Sequence, residues 1–198
     1  MKLDDESLSI KMLQTETYHL FDKGYQGVWR GVSLELLIDY AKSGKIPYIG
    51  NLNNFIETGT HRGSGATKAS FLFDKVYTTE INKDFKPDHD AIKRYIPNIE
   101  FHYDTSPLFL KNLLPKIKEQ SVIFLDAHWY ENPAREELTN IKKYSTRNDH
   151  VIIIDDMDTA GSDLPQRSEI DKLLNFINPE YKIELWEKTV NKNLVAYV

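Results

Sequence analysis

The chain contains no cysteine among its 198 residues. This absence excludes zinc ribbons, thiolate catalysis and disulfide frameworks together, and it leaves only oxygen and imidazole ligands for any bound metal. It also fits a reducing compartment. Long apolar runs and a signal-type N-terminus are missing as well. We therefore expect a cytoplasmic protein that has no membrane partner.

Basic residues are fewer than acidic ones: the chain has 25 lysines and arginines and 30 aspartates and glutamates, which gives a formal net charge of -5. Nucleic acids are polyanions that favour a basic protein surface, so we expect no nucleic-acid partner. A hydrophobic content of 40% and a charged content of 28% are ordinary for a globular protein. The length suits one domain with a short extension.

Strand-like and helix-like segments alternate from about residue 53 onward, which is typical of a parallel sheet covered by helices on both faces. The predicted strands are Asn54–Glu57, Val76–Glu80, Ile99–Tyr103, Val122–Asp126 and Val151–Asp155. The predicted helices are Gly65–Phe73, Asp88–Tyr95, Pro107–Gln120, Pro133–Tyr144 and Pro165–Ile177, and the tail predicts a terminal hairpin. We therefore predict an α/β domain over 51–198, preceded by a helical arm or lid over 1–50.

A glycine-rich segment, Glu57-Thr-Gly-Thr-His-Arg-Gly-Ser-Gly65, follows the first predicted strand and precedes a helix. An open α/β sheet places its ligand crevice at this point. The spacing does not match Gly-x-Gly-x-x-Gly, so a dinucleotide enzyme is disfavoured. Glu80 ends the second strand, from which a carboxylate can accept hydrogen bonds from both ribose hydroxyls of a nucleoside. The alternative is a simple turn beside a solvated strand end.

Four successive motifs carry a resemblance to class I S-adenosylmethionine-dependent methyltransferases: Phe55–Gly63, Val76–Ile81, Ile123–His128 and Val151–Asp156. The resemblance implies a doubly wound, mostly parallel seven-stranded sheet of order 3-2-1-4-5-7-6, with strand 7 antiparallel. It implies that Glu57 and the glycine loop hold the methionine part of S-adenosylmethionine and that Glu80 holds the ribose. The predicted cofactor-binding residues are Glu57, Thr58, Gly59, Thr60, Gly63, Glu80, Asp104, Thr105 and Asp126. For Thr105, a helix cap is the alternative.

Three carboxylates follow neighbouring predicted strands: Asp126 after the fourth, and Asp155 and Asp156 after the fifth. Like charges at such a distance call for a cation or a basic partner, and a hard ion such as Mg²⁺ suits oxygen ligands. The arrangement resembles metal-dependent catechol-type and macrolide-sugar O-methyltransferases, which implies that these three residues bind the metal. Solvated strand ends or helix caps are the alternative.

The predicted catalytic residues are Asp126 and His128, with His128 as the nearest candidate base. In the catechol-type enzymes a lysine follows the strand-four aspartate by three positions, whereas this chain has Trp129 there. We expect methyl transfer to a hydroxyl of a small molecule or sugar, assisted by a divalent metal. The alternatives are a metal-free N- or O-methyltransferase and a non-catalytic S-adenosylmethionine-binding protein.

Overall fold

The computed structural model describes residues 42–45, 52–127, 133–157, 165–186 and 192–198. Its strands are β1 (Asn54–Thr58), β2 (Lys75–Thr79), β3 (Ile99–His102), β4 (Ser121–Leu125), β5 (Val151–Ile154), β6 (Lys182–Trp186) and β7 (Asn193–Tyr197). The helices of these ranges are α1 (Ser64–Ser70), α2 (Lys86–Tyr95), α3 (Ser106–Leu113), α4 (Ala134–Tyr144) and α5 (Arg167–Ile177), with short 3₁₀ turns at Lys83–Phe85 and Leu114–Lys116. The predicted arm over 1–50 lies almost wholly outside the described residues.

The strands form one sheet of order β3-β2-β1-β4-β5-β7-β6. The neighbours from β3 to β5 pair in parallel, whereas β7 runs antiparallel to both β5 and β6. The predicted order and the antiparallel seventh strand are thus confirmed. This topology brings the carboxyl ends of β1, β2, β4 and β5 to one edge, where doubly wound sheets bind their ligands.

Helices cover both faces of the sheet, as the alternation of elements predicts. On one face, Phe55, Phe124 and Ile153 from the central strands form a buried cluster with residues of α1. On the other face, Ile56, Ile123 and other strand residues pack against α3, α4 and α5. All residues of β1 and β4 are buried, as expected for central strands covered on both sides. The described helices include none that is long and apolar enough to cross a membrane.

Candidate ligand site at the carboxyl edge of the sheet

The backbone of the glycine loop is fastened to the ends of the neighbouring strands. The N–H groups of Gly59 and Thr60 both donate to the Thr79 carbonyl oxygen, each at 3.1 Å. On the other side, the N–H of Asp126 donates to the Thr58 carbonyl oxygen, also at 3.1 Å. The ends of β1, β2 and β4 therefore meet at the loop, and the residues predicted from the glycine motif lie together at the edge.

Gly59 has a φ of 86°, in the left-handed region that favours glycine. A Cβ atom there would lie 2.7 Å from the Asp126 carbonyl carbon and closer still to its oxygen. Because backbone cannot move aside as a flexible side chain can, any larger residue would push the loop away from β4. Glycine is needed here both for the tight turn and for packing between strand ends.

Gly63 stands at the N-cap of α1 with a φ of 91°. A Cβ atom there would lie 2.7 Å from Ile92 Cδ1, on α2. The absence of a Cβ at Gly63 therefore lets the loop pack against the side of α2. The assignment of Gly63 to the cofactor-binding residues stays a prediction.

Glu57 is almost fully buried, with 2% of its surface exposed. Its Oε2 accepts a hydrogen bond of 2.7 Å from the Thr78 hydroxyl, and Thr60 donates in turn to Thr78 at 2.5 Å. The Ala66 N–H, in the first turn of α1, also bonds to the carboxyl group. Burial raises the pKa of Glu57 to about 8 despite these bonds. The contacts of this carboxyl group with Thr78 and Ala66 thus tie β1, β2 and α1 together.

Glu80 directly follows β2 and is 9% exposed. Its Oε2 accepts from the His61 N–H at 2.6 Å, and its Oε1 accepts from the Asn82 N–H at 2.9 Å. Each carboxylate oxygen has two lone pairs, so one acceptor position on each oxygen remains for a further donor. The group is therefore oriented by backbone and retains the capacity to accept two hydroxyl donors.

Asp104 and Thr105 connect β3 to α3. Thr79 donates its hydroxyl hydrogen to the Asp104 carbonyl oxygen at 2.9 Å, which fixes this connection to β2. Thr105 occupies the N-cap position of α3 but makes no side-chain capping bond there. The helix-cap alternative for Thr105 is therefore correct for its position, although its hydroxyl group does not perform the usual capping.

The three predicted metal ligands lie at adjacent strand ends, since β4 and β5 pair in parallel. Asp155 is buried, and its Oδ1 accepts from the Asp156 N–H at 2.9 Å. Asp156 has a φ of 56°, a left-handed conformation in which Asp is more frequent than most residues. Within the described ranges, no three His, Asp or Glu side chains form a group that could hold a metal ion. The predicted metal site therefore has no support from this arrangement.

The candidate base His128 and the Trp129 that follows it lie outside the described residues. The loop residues His61 and Arg62 are described, and both contact the α2 side of the loop. Arg62 pairs with Asp88 at 3.0 Å.

Sequence analysis missed one buried carboxyl group near this edge. Glu137, in the first turn of α4, is 0% exposed, and neither of its carboxyl oxygens forms a hydrogen bond of normal geometry. The hydroxyls of Ser106 and Thr58 lie beside it and lower its pKa, but burial outweighs them and raises the pKa to about 7. An acidic residue in a first helical turn is so common that its sequence position gave no signal.

Known structures share this architecture. The chain is similar to a protein from Klebsiella pneumoniae provisionally described as an O-methyltransferase, with 13% identity, a TM-score of 0.61, and coverage of 98% of this chain and 90% of that one. A provisionally described caffeoyl-CoA O-methyltransferase from Staphylococcus aureus matches with 16% identity, a TM-score of 0.55, and coverage of 94% and 100%. A Streptococcus mutans protein provisionally described as a methyltransferase, in complex with S-adenosylhomocysteine, matches with 15% identity, a TM-score of 0.56, and coverage of 87% and 100%.

No family model and no curated protein sequence matches the chain. At these identities the structural likeness defines the fold. That fold is the class I methyltransferase fold, as the sequence motifs predict.

Proposed function

We propose that this protein transfers the methyl group of S-adenosylmethionine to a hydroxyl group of a small molecule or sugar. The observation that carries the proposal is the placement of the glycine loop beside Glu80. The backbone N–H of His61, in that loop, donates to Glu80 Oε2 at 2.6 Å. The methyltransferase fold around this pair supports the choice of cofactor.

The residues fit an adenosine-containing ligand. Glu80 has acceptor capacity for both ribose hydroxyls, and its orientation is fixed by two backbone donors. Asp104 and Thr105, after the neighbouring strand β3, are our proposed contacts for the adenine. The proposed wall around the methionine part consists of Thr58, Gly59, Thr60, Gly63 and Asp126. Glu57 supports this wall from beneath.

S-adenosylmethionine supplies a sulfonium-bound methyl group when it is bound. The acceptor hydroxyl oxygen would receive this methyl group, with the electron pair of the broken carbon–sulfur bond left on sulfur. The protein's part is to align acceptor and methyl group and to receive the hydroxyl proton. We propose Asp126 and His128, which follow β4 in the sequence, as the residues that receive this proton.

The participation of a divalent metal is a separate hypothesis. Asp126, Asp155 and Asp156 are carboxylates of the type that Mg²⁺ prefers. Because no group of three such side chains is arranged around one position in the described ranges, we derive no metal-assisted step.

The acceptor is proposed from the charge of the chain, since a net charge of -5 does not favour a polyanionic substrate. Folds of this class serve many acceptors, so the fold contributes nothing to this choice. A protein that binds S-adenosylmethionine without turnover is the remaining alternative, and only an activity assay separates it from an enzyme.

The test is the transfer of a labelled methyl group to a panel of hydroxylated metabolites and sugars, with amine-containing compounds as a second panel. We expect labelled product from the hydroxyl panel with wild-type protein and a severe loss with Glu80→Gln. Glu100→Gln, an exposed carboxylate on β3, is the matched control and is expected to retain activity. Parallel reactions with added Mg²⁺ and with chelator test the metal hypothesis. Cofactor binding without any transfer would favour the non-catalytic alternative.

A further inference from the structure

One side of α2, together with the end of the 3₁₀ turn before it, holds the glycine loop through several contacts. We call this set the α2 clamp, defined by Phe85, Asp88, His89 and Ile92. The ring of Phe85 lies 4.5 Å from the His61 ring, centroid to centroid, and 5.6 Å from the Arg62 guanidinium carbon. Asp88 pairs with Arg62 at 3.0 Å, and Ile92 fills the space that a side chain at position 63 would need.

His89 makes the shortest polar contact of the clamp. Its ring is buried, with 1% exposure, and its Nε2 lies 2.6 Å from the His61 carbonyl oxygen. Because a carbonyl oxygen can only accept, Nε2 must carry the hydrogen. Nδ1 lies 3.1 Å from the Tyr103 hydroxyl, which donates to it when the imidazole is neutral. Burial lowers the pKa of His89 and so favours this neutral form.

Aromatic stacking fixes the plane of the His89 ring. Its centroid lies 4.5 Å from that of Phe101 on β3, with an angle of 9° between the planes. A neutral imidazole offers one donor and one acceptor, and both are used here, by His61 and by Tyr103. The ring is therefore held in position and tautomer, so that its hydrogen points at one carbonyl group of the glycine loop.

His61 links this contact to Glu80. Its carbonyl oxygen accepts from His89, while its own N–H donates to Glu80 Oε2 at 2.6 Å. His61 has a φ of 49°, a left-handed conformation that is strained for a non-glycine residue and needs support from its surroundings. The contact with His89 supports the carbonyl side of His61. It thereby keeps the His61 N–H directed at Glu80.

We infer that His89 is a positioning residue that sets the orientation of Glu80, and thereby the recognition of a ribose, without touching the ligand itself. The inference rests on the proposed function, because it assumes that Glu80 receives ribose hydroxyls. When the His89 contact is lost, the His61 N–H is freed to turn away from Glu80, and the carboxylate loses one of its two backbone donors. Ribose recognition then weakens more than binding of the rest of the ligand.

The test measures dissociation constants by calorimetry for S-adenosylhomocysteine and for its 2′-deoxy analogue. His89→Leu removes the donor and keeps apolar bulk on Phe101, whereas His89→Gln places an amide N–H near the lost Nε2–H. His102→Leu is the matched control, since His102 is the next residue of β3 after Phe101 and its ring contacts Phe109 on the opposite face.

We expect His89→Leu to weaken binding of S-adenosylhomocysteine about 10-fold, as for the loss of one well-formed hydrogen bond near a charge. Its preference for the ribose over the deoxy ligand should shrink by a similar factor. His89→Gln should restore most of that preference, and His102→Leu should retain it. Tyr103→Phe, which removes only the hydroxyl that fixes the His89 tautomer, should give an intermediate loss.

Several results would overturn the inference. They are an unchanged ribose preference in His89→Leu, an equal loss for both ligands, and no recovery in His89→Gln. If His89→Leu fails to fold, as judged by circular dichroism, the ribose preference is compared in His89→Gln and Tyr103→Phe instead. A ribose preference in Tyr103→Phe equal to that of the wild type then contradicts the inference. Wild-type protein that binds neither ligand would refute the proposed function itself, which is a different outcome from wild-type binding that the His89 variants leave unchanged.

Discussion

Replacement of Glu137 by glutamine provides a quantitative test of the buried carboxyl group. Burial raises the pKa of Glu137 from 4.5 to about 7, which means that the folded protein binds this proton more tightly than the unfolded chain. The resulting stabilisation is complete below about pH 4.5 and is lost as the pH rises through 7. At 1.36 kcal/mol per unit of pKa, the loss approaches about 3 kcal/mol above pH 8.

Glu137→Gln keeps the shape and a neutral polar group but cannot ionise. We therefore expect the variant and the wild type to differ by less than about 1 kcal/mol at pH 5, and the variant to be more stable by about 2 to 3 kcal/mol at pH 8.5. Urea unfolding followed by circular dichroism, repeated from pH 5 to 8.5, measures this difference. Glu180→Gln replaces an exposed carboxylate and is expected to leave the stability unchanged at each pH.

The comparison between variants matters because other groups titrate in the same range. Burial also raises the pKa of Glu57, to about 8, so the wild-type curve alone contains two contributions. The contribution of Glu57 cancels when the free energy of unfolding of Glu137→Gln is subtracted from that of the wild type, provided that the two sites are independent. A stability difference that does not depend on pH, or a variant that is less stable than the wild type at pH 8.5, would contradict the raised pKa of Glu137.

Two further predictions follow from backbone and burial. Gly59→Ala should lower the free energy of unfolding by at least about 3 kcal/mol, measured by thermal unfolding, because its Cβ meets the Asp126 backbone. The control is Gly44→Ala, where φ is 71° and the space is open, and it should lower the free energy of unfolding by only about 1 kcal/mol. Burial lowers the pKa of His150 to about 4, so stability is full above pH 6.5 and falls as the pH drops towards 4. His150→Asn keeps an acceptor for the Ser121 N–H and should reduce the loss of stability between pH 6.5 and 4. A loss as large as that of the wild type would contradict the lowered pKa of His150.

The fold was predictable because local patterns and the resemblance pointed to the same topology. Each predicted strand overlaps the observed one, with boundaries that differ by a residue or two. For example, the prediction Val122–Asp126 corresponds to β4 at Ser121–Leu125. The helix predicted over Pro107–Gln120 ends earlier, since α3 stops at Leu113 and a 3₁₀ turn containing Pro115 follows. Proline lacks an N–H and cannot continue regular helical bonding there.

The side-chain partners at the edge were less predictable, because they depend on elements distant in sequence. Arg62 and Asp88 form an ion pair although they are 26 residues apart, and His89 reaches the His61 carbonyl group across 28 residues. His89 is buried, with 1% of its surface exposed. Its specific partner could not be inferred, because periodicity indicates which face of a helix is buried but not which atom lies opposite.

The carboxylates after β4 and β5 illustrate a different limit. Strand pairing correctly predicted that Asp126 and Asp155 follow neighbouring strands. It did not predict that the Asp155 carboxylate would turn back to the Asp156 N–H, because the backbone conformation after a strand depends on local hydrogen bonds. Proximity of strand ends is therefore a weaker guide to a metal site than the directions of the side chains.

Calorimetric titration of the wild-type protein with S-adenosylhomocysteine is the decisive test of the proposed nucleoside site. We expect binding of one ligand per chain, weakened by Glu80→Gln and unchanged by Glu100→Gln. Absence of measurable heat and of any thermal stabilisation at millimolar ligand would contradict the claim that this edge of the sheet is a nucleoside site for methyl transfer.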